Sequence, residues 1–128
     1  MSAAALTAWA ALGLVPLAAI IGWFLRRFAK GSLIRRMRPH VIVGYGALIL
    51  AVTHFTLTIG RMAGANSTGI WLATLALCGL GFQAFLGSNL TSPGTYRLLL
   101  RRWHVMVFGI TFAFIIGHII LNAAFIPQ

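Results

Sequence analysis

The chain has 128 residues, 60% of them hydrophobic, and carries ten lysines and arginines but no aspartate or glutamate. Long uncharged apolar runs in so short a chain are typical of membrane-spanning helices and disfavour a soluble globular core. The runs show no period-2 alternation, which argues against a small outer-membrane barrel. The net charge of +10 is gathered in the connections between the apolar runs, and this distribution disfavours nucleic-acid binding.

Four apolar runs set the predicted architecture. Each is about 20 residues or longer, enough for a helix to cross a hydrocarbon layer about 30 Å thick. Short connections imply antiparallel neighbours. The sequence therefore predicts an all-α membrane protein with a single domain, residues 1–128, folded as an up-down-up-down bundle of four transmembrane helices. The predicted helices cover approximately residues 3–25, 39–60, 69–90 and 95–126.

The first run has the length of a secretory signal peptide but the wrong flanks. No basic residue precedes it, and its arginines follow it. Trp9 and Trp23 lie near its two ends, as residues of an interfacial aromatic belt do. These features predict a retained helix that is not cleaved.

The positive residues are concentrated in two of the three connections. Six lie between helices one and two, namely Arg26, Arg27, Lys30, Arg35, Arg36 and Arg38. Three lie between the uncharged stretches of helices three and four, namely Arg97, Arg101 and Arg102, and the middle connection has only Arg61. The positive-inside rule then predicts cytoplasmic basic connections and periplasmic termini, in a bacterial inner membrane. We expect the lipid bilayer as a partner and no nucleic acid.

All four histidines lie in the second and fourth runs. His40 and His54 are fourteen residues apart, and His104 and His118 repeat that spacing. Fourteen residues at about 100° each come within about 40° of four whole turns, so each pair shares a helix face with a rise of about 21 Å. Helices two and four run in the same direction. We therefore expect two cross-helix pairs, His40 with His104 on the cytoplasmic side and His54 with His118 on the outer side.

Two facing imidazoles at each depth indicate a planar cofactor. Haem iron takes one axial ligand from each side of the macrocycle. Gly44, Ala47 and Ala51 follow the histidine face of helix two and would leave room for it, although small residues also serve close helix packing. Zinc or copper sites need three or four converging ligands, which neither depth supplies. Cys78 is predicted to be a small packing residue, so it offers no thiolate ligand.

Haem propionates would need positive partners. Arg38 and Arg102 each lie two residues before the first histidine of their helix, and Arg61 lies about two turns after His54. The sequence predicts that these three arginines contact propionates, with a lipid-headgroup anchor as the alternative for Arg61. Thr58 and Asn122, each four residues after an outer histidine, are lesser polar candidates. Gln83 in helix three has no predicted role.

Four transmembrane helices with histidines fourteen residues apart on the second and fourth resemble the diheme four-helix core of membrane b-type cytochromes. Cytochrome b of quinol-oxidising complexes has this arrangement, and the membrane domains of ferric reductases and NADPH oxidases have a related one. The resemblance implies two haems b, one ligated by His40 and His104 and the other by His54 and His118. The sequence contains neither the later helices and quinol-site loops of that cytochrome b nor the soluble cofactor domain of a ferric reductase.

The resemblance implies transmembrane electron transfer through two stacked bis-histidine haems. The chain would then be the cytochrome b subunit of a respiratory or photosynthetic redox complex, not an enzyme by itself. Electrons would be exchanged with other subunits, a quinone or a periplasmic carrier, although the lack of carboxylates disfavours a self-contained quinol-oxidation site. The alternatives are a haem-free structural or anchoring subunit, and an ion, proton or metal transporter that uses the intramembrane histidines.

Overall fold

A computed structural model of the chain describes residues 1–61, 64–90 and 94–122. These residues contain no strand, and they form four α-helices followed in one place by a 3-10 turn, Ile59–Arg61. The helices are α1 (Ala3–Phe28), α2 (Leu33–Thr58), α3 (Ser67–Asn89) and α4 (Arg97–Asn122). All four are long and apolar enough to cross a membrane, so the predicted all-α, four-helix transmembrane bundle is confirmed.

The second helix begins earlier than predicted. It starts at Leu33, and Pro39 lies inside it rather than at its first turn. Gly31 has a φ of 104°, which ends the preceding turn, and Ser32 then leads directly into the helix. Hydropathy places the boundary too late because the arginines of the first two turns interrupt the apolar run without interrupting the helix.

The other helix ends differ from the predictions by smaller amounts. The first helix extends to Phe28, so that Arg26 and Arg27 lie in its last turn, where positive charge is favourable to the helix dipole. The fourth helix begins at Arg97. Residues 123–126 of its predicted span lie outside the described residues, as does the expected N-cap at residues 92–93.

The four helices form two tight hairpins that meet loosely. α1 packs along α2 and α3 along α4, whereas contacts between the two hairpins are sparse. The buried apolar residues are mostly alanines, which let helices approach closely; they are Ala5, Ala11, Ala18, Ala47 and Ala76, together with Val15 and Leu86. No large side chain among the described residues is fully buried. The interior between the hairpins is therefore not filled by side chains.

The second hairpin repeats the first. Buried Ala11 of α1 corresponds to buried Ala76 of α3, with an offset of 76 − 11 = 65 residues. Buried Ala47 of α2 corresponds to buried Thr111 of α4, with an offset of 111 − 47 = 64 residues. Cys78 does not follow its prediction as a packing residue, because it lies on the exposed face of α3.

Candidate cofactor site

Two cavities lie between the hairpins, one near each end of the bundle. The first has a volume of about 590 Å³ and lies where α2 and α4 begin; we name it the basic cavity. The second has a volume of about 340 Å³ and lies where α1 and α3 begin; we name it the distal cavity. Val15 and Leu80 line both cavities and mark the level between them. Both volumes fall in the range of about 300–1,000 Å³ that is usual for cofactor sites.

Each cavity is bordered by one histidine from α2 and one from α4. His40 and His104 line the basic cavity, with ring centres 6.2 Å apart and ring planes at 75°. His54 and His118 line the distal cavity. The structure thus brings together the residues of both predicted pairs, at two levels of the bundle.

Three of the four histidines donate Nδ1–H to a backbone carbonyl on the partner helix of their own hairpin. These bonds are His40 to Ala18 (2.7 Å), His54 to Ala4 (2.9 Å) and His118 to Gly69 (2.9 Å). A carbonyl oxygen only accepts, so each neutral imidazole carries its proton on Nδ1 and keeps the lone pair of Nε2 free. This is the tautomer that a metal-ligating histidine needs.

The fourth histidine is held differently. The Nδ1 atom of His104 is buried and has no hydrogen-bond partner among the described residues. Instead, Gln83 Nε2 donates to the backbone carbonyl of His104 over 2.7 Å. In the repeat, Gln83 of α3 is the residue that corresponds to Ala18 of α1, with an offset of 83 − 18 = 65 residues. The backbone carbonyl of Gln83 is therefore equivalent to the Ala18 carbonyl that accepts from His40. Gln83, which had no predicted role, therefore fixes the backbone of α4 at the histidine.

The spacing of the basic-cavity histidines fits a bis-imidazole metal site. An imidazole nitrogen lies about 1.1 Å from its ring centre and ligates a first-row metal at about 2 Å. Two rings on opposite sides of one iron therefore have centres about 6 Å apart, which matches the observed 6.2 Å. The described residues contain no group of three or more histidine, cysteine or acidic side chains that would chelate a metal without a macrocycle.

The predicted small residues border the two cavities. Gly44 and Ala47 line the basic cavity and Ala51 lines the distal cavity. A Cβ on Gly44 would meet nothing within 4 Å. Phe108 of α4 lines the basic cavity opposite them. Gly44 thus borders free space on the histidine face of α2, whereas Ala47 lines the cavity and is also buried in the helix packing.

Gly22 of α1 lies directly beside the ring of His40. A Cβ built on Gly22 would lie 2.9 Å from His40 Nδ1 and 3.2 Å from His40 Cε1. The missing side chain therefore leaves room for the His40 ring beside α1, where its Nδ1 reaches the Ala18 carbonyl. The sequence gives no signal for this glycine, since nothing in its pattern links α1 to a particular histidine.

The arginines that line the basic cavity are not those predicted from sequence. Four arginines line it, namely Arg26, Arg36, Arg97 and Arg101. Arg38 and Arg102 are exposed and are not among the described residues that line either cavity. Two residues correspond to about 200° of helix rotation, so both point away from the histidine that follows them. The side chain of Arg61 lies outside the described part of the chain.

The distal cavity has polar residues but no arginine among its described lining residues. Thr58 donates to the backbone carbonyl of His54 over 2.9 Å. Asn122 Oδ1 accepts from the backbone N–H of Asn66 over 3.0 Å, and its amide nitrogen lies 3.4 Å from His118 Nδ1 without donating to it, because that atom carries its own proton. Both lesser polar candidates therefore lie at a site histidine.

These features define a class of site: a pair of histidine-flanked clefts between two transmembrane hairpins. Comparisons with protein-family models, with curated proteins and with solved structures give no match for the chain. The histidine pairs and their cavities are therefore the features from which a function is inferred.

Proposed function

We propose that this protein is a diheme b-type transmembrane cytochrome that transfers electrons across the membrane, with one haem b in each cavity. The observation that carries the proposal is the placement of one α2 histidine and one α4 histidine at each cavity, with Nε2 free in three of the four. His40 and His104 would ligate one iron, and His54 and His118 the other. Haem supplies the redox chemistry, because its iron cycles between the ferrous and ferric states.

The chain's own residues orient the ligands and keep the two levels apart. The Nδ1–H bonds to carbonyls of α1 and α3 fix the rings of His40, His54 and His118 and would raise the basicity of their ligating nitrogens. Val15 and Leu80 line both cavities from opposite hairpins, and Ala47 and Thr111 are buried near the same level. This layer of mostly apolar side chains would exclude water from the space between the two redox centres.

Positive side chains complete the basic cavity. Two of the four arginines that line it would balance the two propionates of its haem, the role expected from sequence for Arg38 and Arg102. Arg61 stays the proposed propionate contact of the distal site. The guanidinium group suits this task because its planar fork of donors matches a carboxylate.

The distribution of positive charge supports an orientation in the membrane. We propose a bacterial inner membrane, with the basic ends of α2 and α4 in the cytoplasm and both termini in the periplasm. The protein would act as the cytochrome b subunit of a respiratory or photosynthetic redox complex. It would exchange electrons with other subunits, with a quinone or with a periplasmic carrier.

Optical spectroscopy of the purified protein tests the proposal. We expect the dithionite-reduced protein to show the split α band of low-spin bis-histidine haem, and pyridine haemochrome analysis to give two haems per chain. Protein produced with sufficient haem that shows no such spectrum would overturn the proposal and leave the anchoring and transport alternatives.

Substitution of Gly22 by alanine is expected to weaken one haem site selectively. The added methyl group displaces the His40 ring and breaks its bond to Ala18, and loss of an outer-shell bond to a metal-ligating histidine typically costs about 10–100-fold in affinity. The measurement is haem titration of the variant by difference spectroscopy. Gly13→Ala, on the same helix and with nothing within 4 Å of its Cβ, is the matched control. Equal behaviour of the two variants would contradict the role of Gly22.

A further inference from the structure

The mouth of the basic cavity concentrates positive charge that the chain does not balance. Arg26 of α1, Arg36 of α2, and Arg97 and Arg101 of α4 line one cavity. The sequence has no aspartate or glutamate, so no acidic side chain is available to any of them. Guanidinium groups gathered at one site without counter-charge repel one another, and an anion bound among them would remove that cost.

Two helix starts add to this positive potential. α2 and α4 both begin at the basic cavity, and their first residues, Leu33 and Arg97, line it. Ser32, the N-cap of α2, makes no side-chain cap hydrogen bond. At the other end of the bundle Ser2 caps α1 and Asn66 caps α3, each accepting from a first-turn N–H. First-turn N–H groups without a side-chain acceptor are donors for a bound anion.

Arg36 also has an unused donor at this place. Its Nη1 donates to the Ala29 carbonyl over 3.2 Å, which holds the side chain in position. Its Nε is buried and has no hydrogen-bond partner among the described residues. A buried charged donor without an acceptor is costly, so an acceptor that is not part of this chain is expected beside it.

We propose that this mouth binds a phosphate group, that of an anionic phospholipid headgroup from the adjoining leaflet. A haem in the basic cavity brings two propionates, which leave two of the four positive charges without a counter-charge, and without haem the excess of positive charge is larger. The site therefore goes beyond the proposed electron-transfer function and does not depend on it. Ile34 and Leu98 line the same mouth and are highly exposed, at 65% and 74%, so they offer an apolar surface for the acyl chains.

The test compares two sources of phosphate on the full-length protein in a zwitterionic detergent. Phosphatidylglycerol is added in one arm and inorganic phosphate in the other, and binding is measured by native mass spectrometry and by the shift in unfolding temperature. The site variant is Arg36→Gln/Arg97→Gln/Arg101→Gln. The control variant, Arg27→Gln/Lys30→Gln/Arg35→Gln, removes equal charge from exposed side chains where α1 ends and α2 begins, at the same end of the bundle, and these do not line the cavity.

We expect the native protein and the control variant to retain phosphatidylglycerol at least tenfold more tightly than the site variant does. Stabilisation by inorganic phosphate alone, lost in the site variant, supports phosphate recognition with a soluble source. Equal loss of lipid in both variants means that general positive charge attracts it, and overturns the proposal. The proposal is also overturned if the haem-loaded protein binds neither phosphatidylglycerol nor inorganic phosphate, because the haem propionates then balance the arginines of the mouth by themselves. If the protein contains no haem but still binds phosphatidylglycerol at this mouth, the cytochrome proposal fails and the phosphate-binding proposal is supported.

Discussion

The His54→Ala variant is expected to bind one haem per chain instead of two. The substitution removes the proposed α2 ligand of the distal cavity and leaves the basic cavity with both of its histidines, 6.2 Å apart between ring centres. The cavities share only Val15 and Leu80 among their described lining residues, so the remaining site should keep its haem. Pyridine haemochrome analysis of the purified variant gives the number directly.

The same variant should lose electron transfer between the two sides of the membrane. The histidines of one helix are separated by a rise of about 21 Å, so a single haem reaches only one side. In vesicles that hold a reductant inside, the native protein should reduce an external acceptor and the variant should not. His118→Ala should behave in the same way, because it removes the other ligand of the same site.

Two further variants make this result specific. Thr53→Ala changes the exposed neighbour of His54 and should keep both haems. Addition of imidazole to His54→Gly should restore the second haem, because the free ligand can occupy the space that the side chain leaves. Loss of both haems, or of neither, in His54→Ala would contradict the proposed pairing of the histidines.

Much of this arrangement is predictable because it depends on helix periodicity alone. The apolar runs predict four spanning helices, and the spacing of fourteen residues places His40 with His54 and His104 with His118 on common faces. Parallel α2 and α4 then bring the histidines into pairs at two levels. The same periodicity places the small residues Gly44, Ala47 and Ala51 on the histidine face of α2. None of these steps needs a knowledge of tertiary contacts.

The arginine contacts show where sequence distance misleads. Arg38 is nearer to His40 along the chain than Arg36 is, yet Arg36 lines the basic cavity. Four residues bring a side chain back to the same helix face, whereas two turn it to the opposite one. The sequence therefore already places Arg36 on the same helix face as His40. The helix face, and not the distance along the chain, indicates which arginine lies at the histidine.

The hydrogen-bond partners of the histidines could not be predicted at all. They are backbone carbonyls of α1 and α3, and every residue has one, so residue type carries no signal. In the first hairpin their spacing repeats that of the histidines, since Ala4 and Ala18 are fourteen residues apart. In the second hairpin Gly69 accepts from His118, and Gln83, fourteen residues later, contacts His104 by donating from its side chain to the His104 carbonyl. Only the register of each hairpin reveals this match, and that register depends on how closely the alanines and Gly22 allow the helices to approach.

Removal of haem is expected to loosen the bundle between its hairpins while leaving the helices intact. Within each hairpin, alanine contacts and histidine-to-carbonyl bonds join the helices. Between the hairpins, the structure has two cavities and sparse side-chain contact. A cofactor ligated from both α2 and α4 would therefore supply much of the cross-hairpin attachment.

The size of this effect follows from linkage. A ligand present at about 1,000 times its dissociation constant stabilises the folded state by about 4 kcal/mol. For a chain of this size that corresponds to roughly 10 °C or more in unfolding temperature. We expect haem-free protein to keep its far-ultraviolet circular dichroism, because the helices persist, and to unfold at a temperature lower by that amount.

Spin labels can show where the loosening occurs. The native Cys78 is first replaced by alanine, so that only introduced cysteines are labelled. Spin labels on cysteines at the exposed positions Ile49 of α2 and Ile110 of α4 then report on the distance between the hairpins. Ile49 paired with exposed Ile20 of α1 reports on the distance within one hairpin. Haem removal should broaden the first distance distribution and leave the second unchanged. Equal broadening of both would indicate general unfolding, and no change in either would mean that the hairpins hold together without the cofactor.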